Sequence, residues 1–284
     1  MKTIRVGSRD SRLAVVQSEL VIAAIRAAEP ERTVELVTMK TTGDKILDRT
    51  LDQIGGKGLF VKELDAALLD GRVDLTVHSA KDLPMELTEG LPLAAFSRRE
   101  DPRDALVLPE GAAELDLSKP LGCTSLRRKM QLEQLFPGAA VAPVRGNVQT
   151  RLRKLDEGQF SALILASAGL RRLGLEHRIS RLFSTEEILP AAGQGILAVQ
   201  ARSGEDVSFL HAFNDEDGRD CLTAERAFVR TLDGGCTSPV AAHAVLAGDQ
   251  LILDGFNLRG ERDRIRGSRQ DAEKLGIELA QRMK

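Results

Sequence analysis

Arginines stand where three predicted helices begin, at positions that ordinarily favour acidic residues. Each start combines arginines with a capping residue: Arg9 with Ser11, Arg127 and Arg128 with Ser125, and Arg145 and Arg151 with Asn147. Positive charge in a first helical turn opposes the helix macrodipole and costs about 0.3–1 kcal/mol per residue. A common cause for three such starts is that their free N–H groups and arginines receive an anion.

Two interpretations of these arginines stay open. In one, they are solvated or paired with nearby carboxylates of the chain, as exposed arginines often are. In the other, they hold a ligand with several carboxylates that lies between two lobes of the protein. Arg127 and Arg128 point roughly 100° apart on an ideal helix, so we expect them to suit two neighbouring carboxylates better than one. Of the 40 basic residues 29 are arginines, whose forked donors bind carboxylates well.

A predicted strand, Val73–Val77, runs into a polar loop that carries Ser79, Lys81 and Asp82. Ligands of open α/β sheets bind beyond the carboxyl ends of the strands, which is where these side chains would lie. Asp82 beside Lys81 would stay ionised and could stabilise a cation or shuttle a proton. An Asx turn ahead of Pro84 explains the aspartate equally well.

Two glycine-rich segments are candidate mobile or reactive loops. Residues 54–60, IGGKGLF, contain Lys57 and Phe60 but lack the spacing of a phosphate-binding loop, which excludes a nucleotide triphosphatase. A lid over a cleft and a plain flexible loop both fit this segment. Cys236 follows two glycines, which predicts an exposed loop and leaves open a covalent role or an ordinary structural thiol.

Composition excludes several classes of function. The 284 residues carry 40 basic and 42 acidic side chains, a net charge of −2, with nine Phe and no Trp or Tyr, which argues against nucleic-acid binding. No apolar run approaches the roughly 18 residues of a membrane span, and the first residues lack the apolar stretch of a signal peptide. The three cysteines and four histidines lack the spacing of a disulfide framework or a metal site. We therefore expect a cytoplasmic protein with reduced thiols.

Short β-rich runs alternate with helical stretches over the first two-thirds of the chain, which predicts βαβ units and parallel sheets. The segments Arg98–Arg103 and Ile188–Gly195 are predicted crossings between two α/β lobes, and Ile196–Ala201 is a strand that rejoins the first lobe. From about Asp217 a long helix, three β-like runs and a terminal helix predict an α+β module with an antiparallel sheet. The predicted domains are residues 1–98 with 196–214, residues 99–195, and residues 215–284.

Several of these segments together resemble the porphobilinogen deaminase (hydroxymethylbilane synthase) family. The resemblance covers nearly the whole chain, with the motifs GSRDSRLA, GGKGLFVKELDAALLDGRVDLTVHSAKDLP, TSLRR, VRGNVQTRLRKLD, PAAGQGILAVQ and ERAFVRTLDGGCTSPVAAHA. It implies two α/β domains similar to type II periplasmic binding proteins and a small α+β domain with a three-stranded sheet. It also implies a transferase of porphyrin and haem biosynthesis that joins four porphobilinogen molecules head to tail, loses ammonia each time and releases hydroxymethylbilane.

The resemblance also assigns roles to residues. A dipyrromethane cofactor, assembled from porphobilinogen, hangs by a thioether from the cysteine that matches Cys236, and Asp82 matches the catalytic aspartate. The cofactor-binding positions match Lys81, Thr124, Ser125, Arg127, Arg128, Arg145 and Gly146. The positions that bind substrate and the growing chain match Arg9, Ser11, Arg145, Arg151, Arg172 and Gln194, and the mobile loop includes Lys57 and Phe60. Cys123 departs from the hydroxyl residue that is usual at its position.

A carboxylate-binding protein or effector domain on the same two-lobed scaffold, without turnover, is the alternative function. Cys236 discriminates between the two, because a pure binder has no need of an exposed thiol on a glycine-rich loop. The expected partner is porphobilinogen, with no nucleic acid and no membrane, and the resemblance favours a monomer.

Overall fold

The computed structural model describes residues 3–41, 61–235 and 238–284. The chain divides into a first unit, Met1–Arg99 with Ile196–Arg219, and a second unit, Glu100–Gly195 with Asp220–Lys284. Within the described ranges, no helix has the length and apolar character needed to cross a membrane.

The first unit is built on a five-stranded sheet with the order β2-β1-β3-β10-β4. Its strands are β1 (Ile4–Arg9), β2 (Val34–Met39), β3 (Leu75–Ser79), β4 (Leu93–Phe96) and β10 (Leu197–Ala201), and its helices include α1 (Arg12–Ala28) and α2 (Lys62–Leu69). Strands β1, β2 and β3 are parallel, whereas β10 runs antiparallel to both β3 and β4. The prediction that 196–201 rejoins the first sheet is confirmed.

The apolar stripe of α1 covers one face of this sheet. Val21 and Ile25 lie on one side of the helix and pack with Val6 and Val77 in a cluster that excludes water. Because burial of aliphatic side chains is the main source of stability, this contact holds α1 against β1 and β3.

The second unit contains a five-stranded sheet with the order β7-β6-β8-β5-β9. Its strands are β5 (Asp104–Val107), β6 (Leu121–Gly122), β7 (Val141–Ala142), β8 (Ala162–Ala166) and β9 (Arg181–Leu182), and its helices are α3 (Leu126–Leu135), α4 (Val148–Asp156) and α5 (Ser167–Arg172). Strand β6 is parallel to β7 and β8, but β5 is antiparallel to β8 and β9. The prediction of βαβ units and parallel strands is confirmed for β1, β2 and β3 and for β6, β7 and β8, but one strand of each α/β sheet runs antiparallel to its neighbours.

An antiparallel sheet, β11 (Ala241–Ala247), β12 (Gln250–Phe256) and β13 (Arg262–Ser268), follows the long helix α6 (Glu216–Thr231), and α7 (Ala272–Arg282) closes the chain. Helices α6 and α7 approach so closely that a Cβ atom on Gly276 would collide with the carbonyl oxygen of Ala224. Two α/β sheets and an antiparallel three-stranded sheet confirm the predicted fold class. The division into three domains stays a prediction.

His78 is a buried titratable group in β3, one residue before the polar loop. Its Nε2 lies 2.9 Å from Oγ1 of Thr76. Burial, helped by the positive charge of Arg9, lowers the pKa of His78 from 6.5 to about 4. The folded protein therefore holds this imidazole neutral at pH values where the unfolded chain protonates it.

Stability should fall as the pH drops from about 6.5 towards 4, because the unfolded state then binds a proton that the folded state does not. Between pH 7 and pH 5 we expect the wild-type chain to lose about 2 kcal/mol more unfolding free energy than His78→Asn. Urea unfolding of both proteins at the two pH values measures the difference. The same loss in both proteins would contradict the neutral, buried imidazole.

Candidate functional site

The three arginine-bearing helix starts are formed as the sequence predicts. Ser11 caps α1 by accepting from the backbone N–H of Ala14 at 3.4 Å, and Asn147 caps α4 by accepting from Thr150 at 2.9 Å. Ser125 caps α3 in the same way. The first turn of each helix lacks an acidic residue, so each start keeps the positive end of its helix dipole uncompensated by a local carboxylate.

In the first unit, the candidate residues gather where β1 and β3 end. The two strands are parallel neighbours, with Val6 opposite Leu75, so their carboxyl ends share one edge of the sheet. Arg9 is the last residue of β1, and Ser11 follows it. This is the edge at which open α/β sheets bind ligands.

Lys81 and Asp82 lie in a short 3₁₀ turn, Ala80–Asp82, that directly follows β3. The turn is anchored, because the N–H of Ala80 donates to Ile196 at 3.0 Å and the hydroxyl of Ser79 accepts from Gln17 at 2.9 Å. Asp82 itself is exposed. The Asx turn considered for it would need an N–H two residues on, which Pro84 lacks. A fixed backbone thus presents a solvent-facing carboxylate.

In the second unit, Arg127 and Arg128 converge on one carboxylate. An Nη atom of Arg127 lies 2.8 Å from Asp104, and Arg128 reaches Asp104 through Nη at 2.7 Å and Nε at 3.1 Å. The two guanidinium-bearing side chains are 3% and 9% exposed, and Asp104 is fully buried. Both arginines therefore pair with one carboxylate of the chain, as one of the two interpretations expects, and their fit to two carboxylates of a ligand stays a prediction.

The remaining contacts of this cluster fix its shape. Arg127 donates to the carbonyl of Leu189 at 2.6 Å, and Arg128 donates to that of Ile164 at 3.0 Å. Gln194, predicted to bind substrate, donates to Asp104 at 2.9 Å. The cluster therefore joins the start of β5, the start of α3 and the segment before β10. Two guanidinium groups thus share one buried carboxylate.

Burial has opposite consequences for the titratable groups near Asp104. It lowers the pKa of Arg127, although Asp104 opposes that change. It raises the pKa of the Cys123 thiol, which stays neutral despite the two arginines nearby. The Nε of Arg127 is buried and receives no hydrogen-bond partner from the described residues. A forked, buried, positively charged donor set of this kind fits a ligand that carries carboxylates.

The third helix start arranges its residues around Gly146. This glycine has a φ of 110°, a conformation that other residues rarely adopt, and a Cβ there would collide with Thr150. The Nε of Arg151 donates to the carbonyl of Gly146 at 2.8 Å. The hydroxyl of Thr124 donates to the carbonyl oxygen of Val144, the residue before Arg145, at 2.7 Å. The structure thus brings α3 and α4 together through Thr124.

Arg172 stands apart from these starts, at the end of α5. It donates to the carbonyl of Gly195 at 2.6 Å, and burial lowers its pKa to about 10 while Glu100 opposes the change.

Lys57, Phe60 and Cys236 lie outside the described residues. The two described cysteines, Cys123 and Cys221, are both buried and free.

Sequence reasoning missed Asp104 altogether. The one local signal is a charged residue immediately before the apolar run Ala105–Leu108. The interior charge is accepted because two arginines and one amide surround it, which the local sequence does not reveal.

Two family profiles match the chain. One, described as porphobilinogen deaminase, dipyromethane cofactor binding domain, matches residues 4–209, and the other, porphobilinogen deaminase, C-terminal domain, matches residues 220–284. Among curated relatives, the porphobilinogen deaminase of Acetivibrio thermocellus is 57% identical over 99% of this chain and 97% of its own length. The porphobilinogen deaminase of Alkaliphilus oremlandii is 59% identical over 99% of this chain and 96% of its own length.

Solved structures with a similar chain path are distant in sequence. The effector binding domain of BenM with its effector benzoate is 14% identical, covers 74% of this chain and 88% of its own, and gives a TM-score of 0.44. The periplasmic aliphatic sulphonate binding protein SsuA from Escherichia coli is 12% identical. The match covers 82% of this chain and 71% of that protein, with a TM-score of 0.43. The profile matches and the curated relatives, taken together, show that the chain belongs to the porphobilinogen deaminase family of enzymes.

Proposed function

We propose that this chain condenses four porphobilinogen molecules head to tail with loss of ammonia, on a covalently bound dipyrromethane primer, and releases hydroxymethylbilane. The observation that carries this proposal is the pair of buried guanidiniums, those of Arg127 and Arg128, held around Asp104 at the start of α3. Each pyrrole unit carries two carboxylates, so primer, substrate and growing chain are polyanions without phosphate. Forked arginines at a helix start suit such a ligand.

The proposed binding residues divide into those for the cofactor and those for the substrate. Arg127, Arg128, Arg145 and the backbone around Ser125 and Gly146 are proposed to hold the cofactor, together with Lys81 of the first unit. Thr124 is proposed to bind the cofactor and Gln194 the substrate, and each also bonds to the protein. Arg9, Ser11, Arg145, Arg151 and Arg172 are proposed to bind the incoming substrate and the chain.

Asp82 is the proposed catalytic residue. Loss of ammonia from porphobilinogen leaves an electron-poor methylene-pyrrole whose positive charge is shared with the ring nitrogen. A carboxylate beside that nitrogen stabilises the cation, and the same group can pass the proton that frees the amine. The turn Ala80–Asp82 supports this role, because its first residue is held by Ile196 and its last residue presents the carboxylate to solvent.

The cofactor, when bound, supplies the pyrrole on which the chain is extended. We propose a thioether at Cys236 as its attachment. The burial of Cys123 and Cys221 supports that choice, since both are closed to a bulky group. A three-domain division, a monomeric state, action in the cytoplasm and a mobile loop that includes Lys57 and Phe60 remain predictions. The alternative of a binding protein without turnover is not favoured, given relatives 57% and 59% identical that are named as the enzyme.

Replacing Asp82 by Asn should leave the cofactor attached but remove most turnover. We expect the rate of bilane formation to fall at least about 100-fold, the usual scale for an acid–base or electrostatic group. Intact mass reports the cofactor, and release of ammonia reports the rate. Asp249→Asn, at an exposed aspartate beside β12, is the matched control and should keep full activity. Near-normal turnover of Asp82→Asn would remove Asp82 from the mechanism.

Replacing Arg127 by Ala should impair retention of the cofactor. Loss of one charge-assisted donor weakens a carboxylate site by about tenfold, so we expect a correspondingly smaller fraction of chains with the mass of two added pyrroles. Arg202→Ala is the control, because Arg202 also binds an aspartate, Asp74, at 3.3 Å. Equal cofactor content in the two variants would show that Arg127 does not hold the cofactor.

A further inference from the structure

Arg262, the first residue of β13, reaches beyond its own sheet to helix α3. Its Nη2 donates to Oε1 of Gln131 at 2.7 Å and to the carbonyl of Glu187 at 3.1 Å. Its Nη1 donates to the carbonyl of Glu186. The guanidinium lies 5.8 Å from the centre of the ring of Phe256, its neighbour across the sheet. Arg262 thus joins the three-stranded antiparallel sheet to the helix that begins with Arg127 and Arg128.

The side-chain amide of Gln131 pairs with the backbone of Leu189 through both of its ends. Gln131 is fully buried. Its Oε1 accepts from the N–H of Leu189 at 2.7 Å, and its Nε2 donates to the carbonyl of Leu189 at 3.2 Å. Turning the amide over would set its nitrogen against the N–H of Leu189 and the guanidinium of Arg262, which are both donors. Arg262 therefore helps to fix which way round this amide lies.

The carbonyl of Leu189 is also a partner of Arg127, whose Nη1 donates to it at 2.6 Å. Leu189 packs in a buried cluster with Ala241 of β11 and Phe256 of β12. The nitrogen of the Gln131 amide donates in addition to the backbone carbonyl of Arg127, at 3.2 Å. The direction of the Arg127 guanidinium thus depends on a peptide that Gln131 and the antiparallel sheet hold in place.

We propose that Arg262 is a positioning residue that directs the guanidinium of Arg127, through Gln131, towards a carboxylate of the bound pyrroles. This inference rests on the proposed function. Both Nη atoms of Arg262 donate to the protein, so it acts through Arg127 and not on the ligand. An arginine side chain has several rotatable bonds, and a partner that holds it before the ligand arrives lowers the entropy lost on binding.

Arg264 provides a matched comparison on the same strand. It follows Arg262 by two residues and so lies on the same face of β13. Its Nε lies 2.6 Å from Asp254, a residue of β12. Arg264 therefore binds a partner in its own sheet, whereas Arg262 binds a partner in α3.

The test titrates porphobilinogen into the full-length chain, expressed in cells that cannot make porphobilinogen. Intact mass counts the chains that gain two pyrroles in a fixed time, well below the melting temperature of each variant. Arg262→Met should raise the concentration for half loading at least about fivefold, the scale on which members of one hydrogen-bond network are coupled. Arg264→Met, the control, should stay within about twofold of wild type, as surface substitutions usually do.

A double variant tests whether the effect of Arg262 depends on Arg127. Arg127→Ala removes the guanidinium that Arg262 is proposed to direct. Adding Arg262→Met to Arg127→Ala should therefore change the half-loading concentration by less than about twofold. If Arg262 served only to stabilise the fold, it would weaken loading by the same factor in both backgrounds. That additive result would overturn the proposal.

Gln131→Met is a second, independent variant, and it keeps the test decisive if Arg262→Met does not fold. Methionine is similar in length to glutamine but lacks the amide that holds Leu189. Half loading should again need at least about fivefold more porphobilinogen in the presence of Arg127, with less than about twofold further change in its absence. Loading of Gln131→Met at the wild-type concentration would contradict the proposed path from Arg262 to Arg127.

The outcomes separate this inference from the proposed function. Failure of the wild-type chain to gain the mass of two pyrroles would overturn the proposed function. Loading of the wild type, together with equal loading of Arg262→Met and Arg264→Met, would overturn the role of Arg262 alone.

Discussion

One buried carboxylate, that of Asp104, holds together the part of the second unit that we propose binds the carboxylates of the ligand. The first residue of β5, the first turn of α3 and the segment before β10 all meet at it, through Arg127, Arg128 and Gln194. Because a buried charge is tolerated only when it is paired and hydrogen-bonded, each of these elements is constrained by the others. The arginines are thereby fixed before any ligand arrives, which removes the entropic cost of ordering them.

The same segment before β10 is held from a second side by another buried carboxylate. Glu225, in α6, accepts from the backbone N–H of Gly193 and from that of Ala244 in β11, each at 2.7 Å. Gly193 precedes Gln194, which binds Asp104. A continuous set of contacts therefore links α6 and β11 with the cluster of Asp104, Arg127 and Arg128.

Local features of the fold were predictable because they depend on neighbouring residues. The helix Leu126–Leu135 begins directly after its cap Ser125, since apolar periodicity and capping act within a few residues. The antiparallel sheet after α6 was predictable from its alternating strands. Ser11, Ser125 and Asn147 cap their helices as expected, and with them the three sites of misplaced positive charge were found correctly.

Features that depend on distant residues could not be predicted in this way. Strand β10 enters its sheet about a hundred residues after β4, and nothing in its own sequence sets its direction against β3. The ends of Arg127 and Arg128 meet because Asp104, more than twenty residues earlier, lies between them. Helical geometry sets the direction in which a side chain leaves the backbone. The position of the charged group at the tip of a long side chain depends on its buried partner.

The most direct measurement is a crystal structure of the chain loaded with porphobilinogen, at a resolution that places individual carboxylates. We expect one ligand carboxylate within about 3 Å of a guanidinium nitrogen of Arg127 or Arg128, with Asp104 still bound between the two arginines. Ligand carboxylates held only by other residues, with both guanidiniums satisfied by the protein alone, would contradict this expectation.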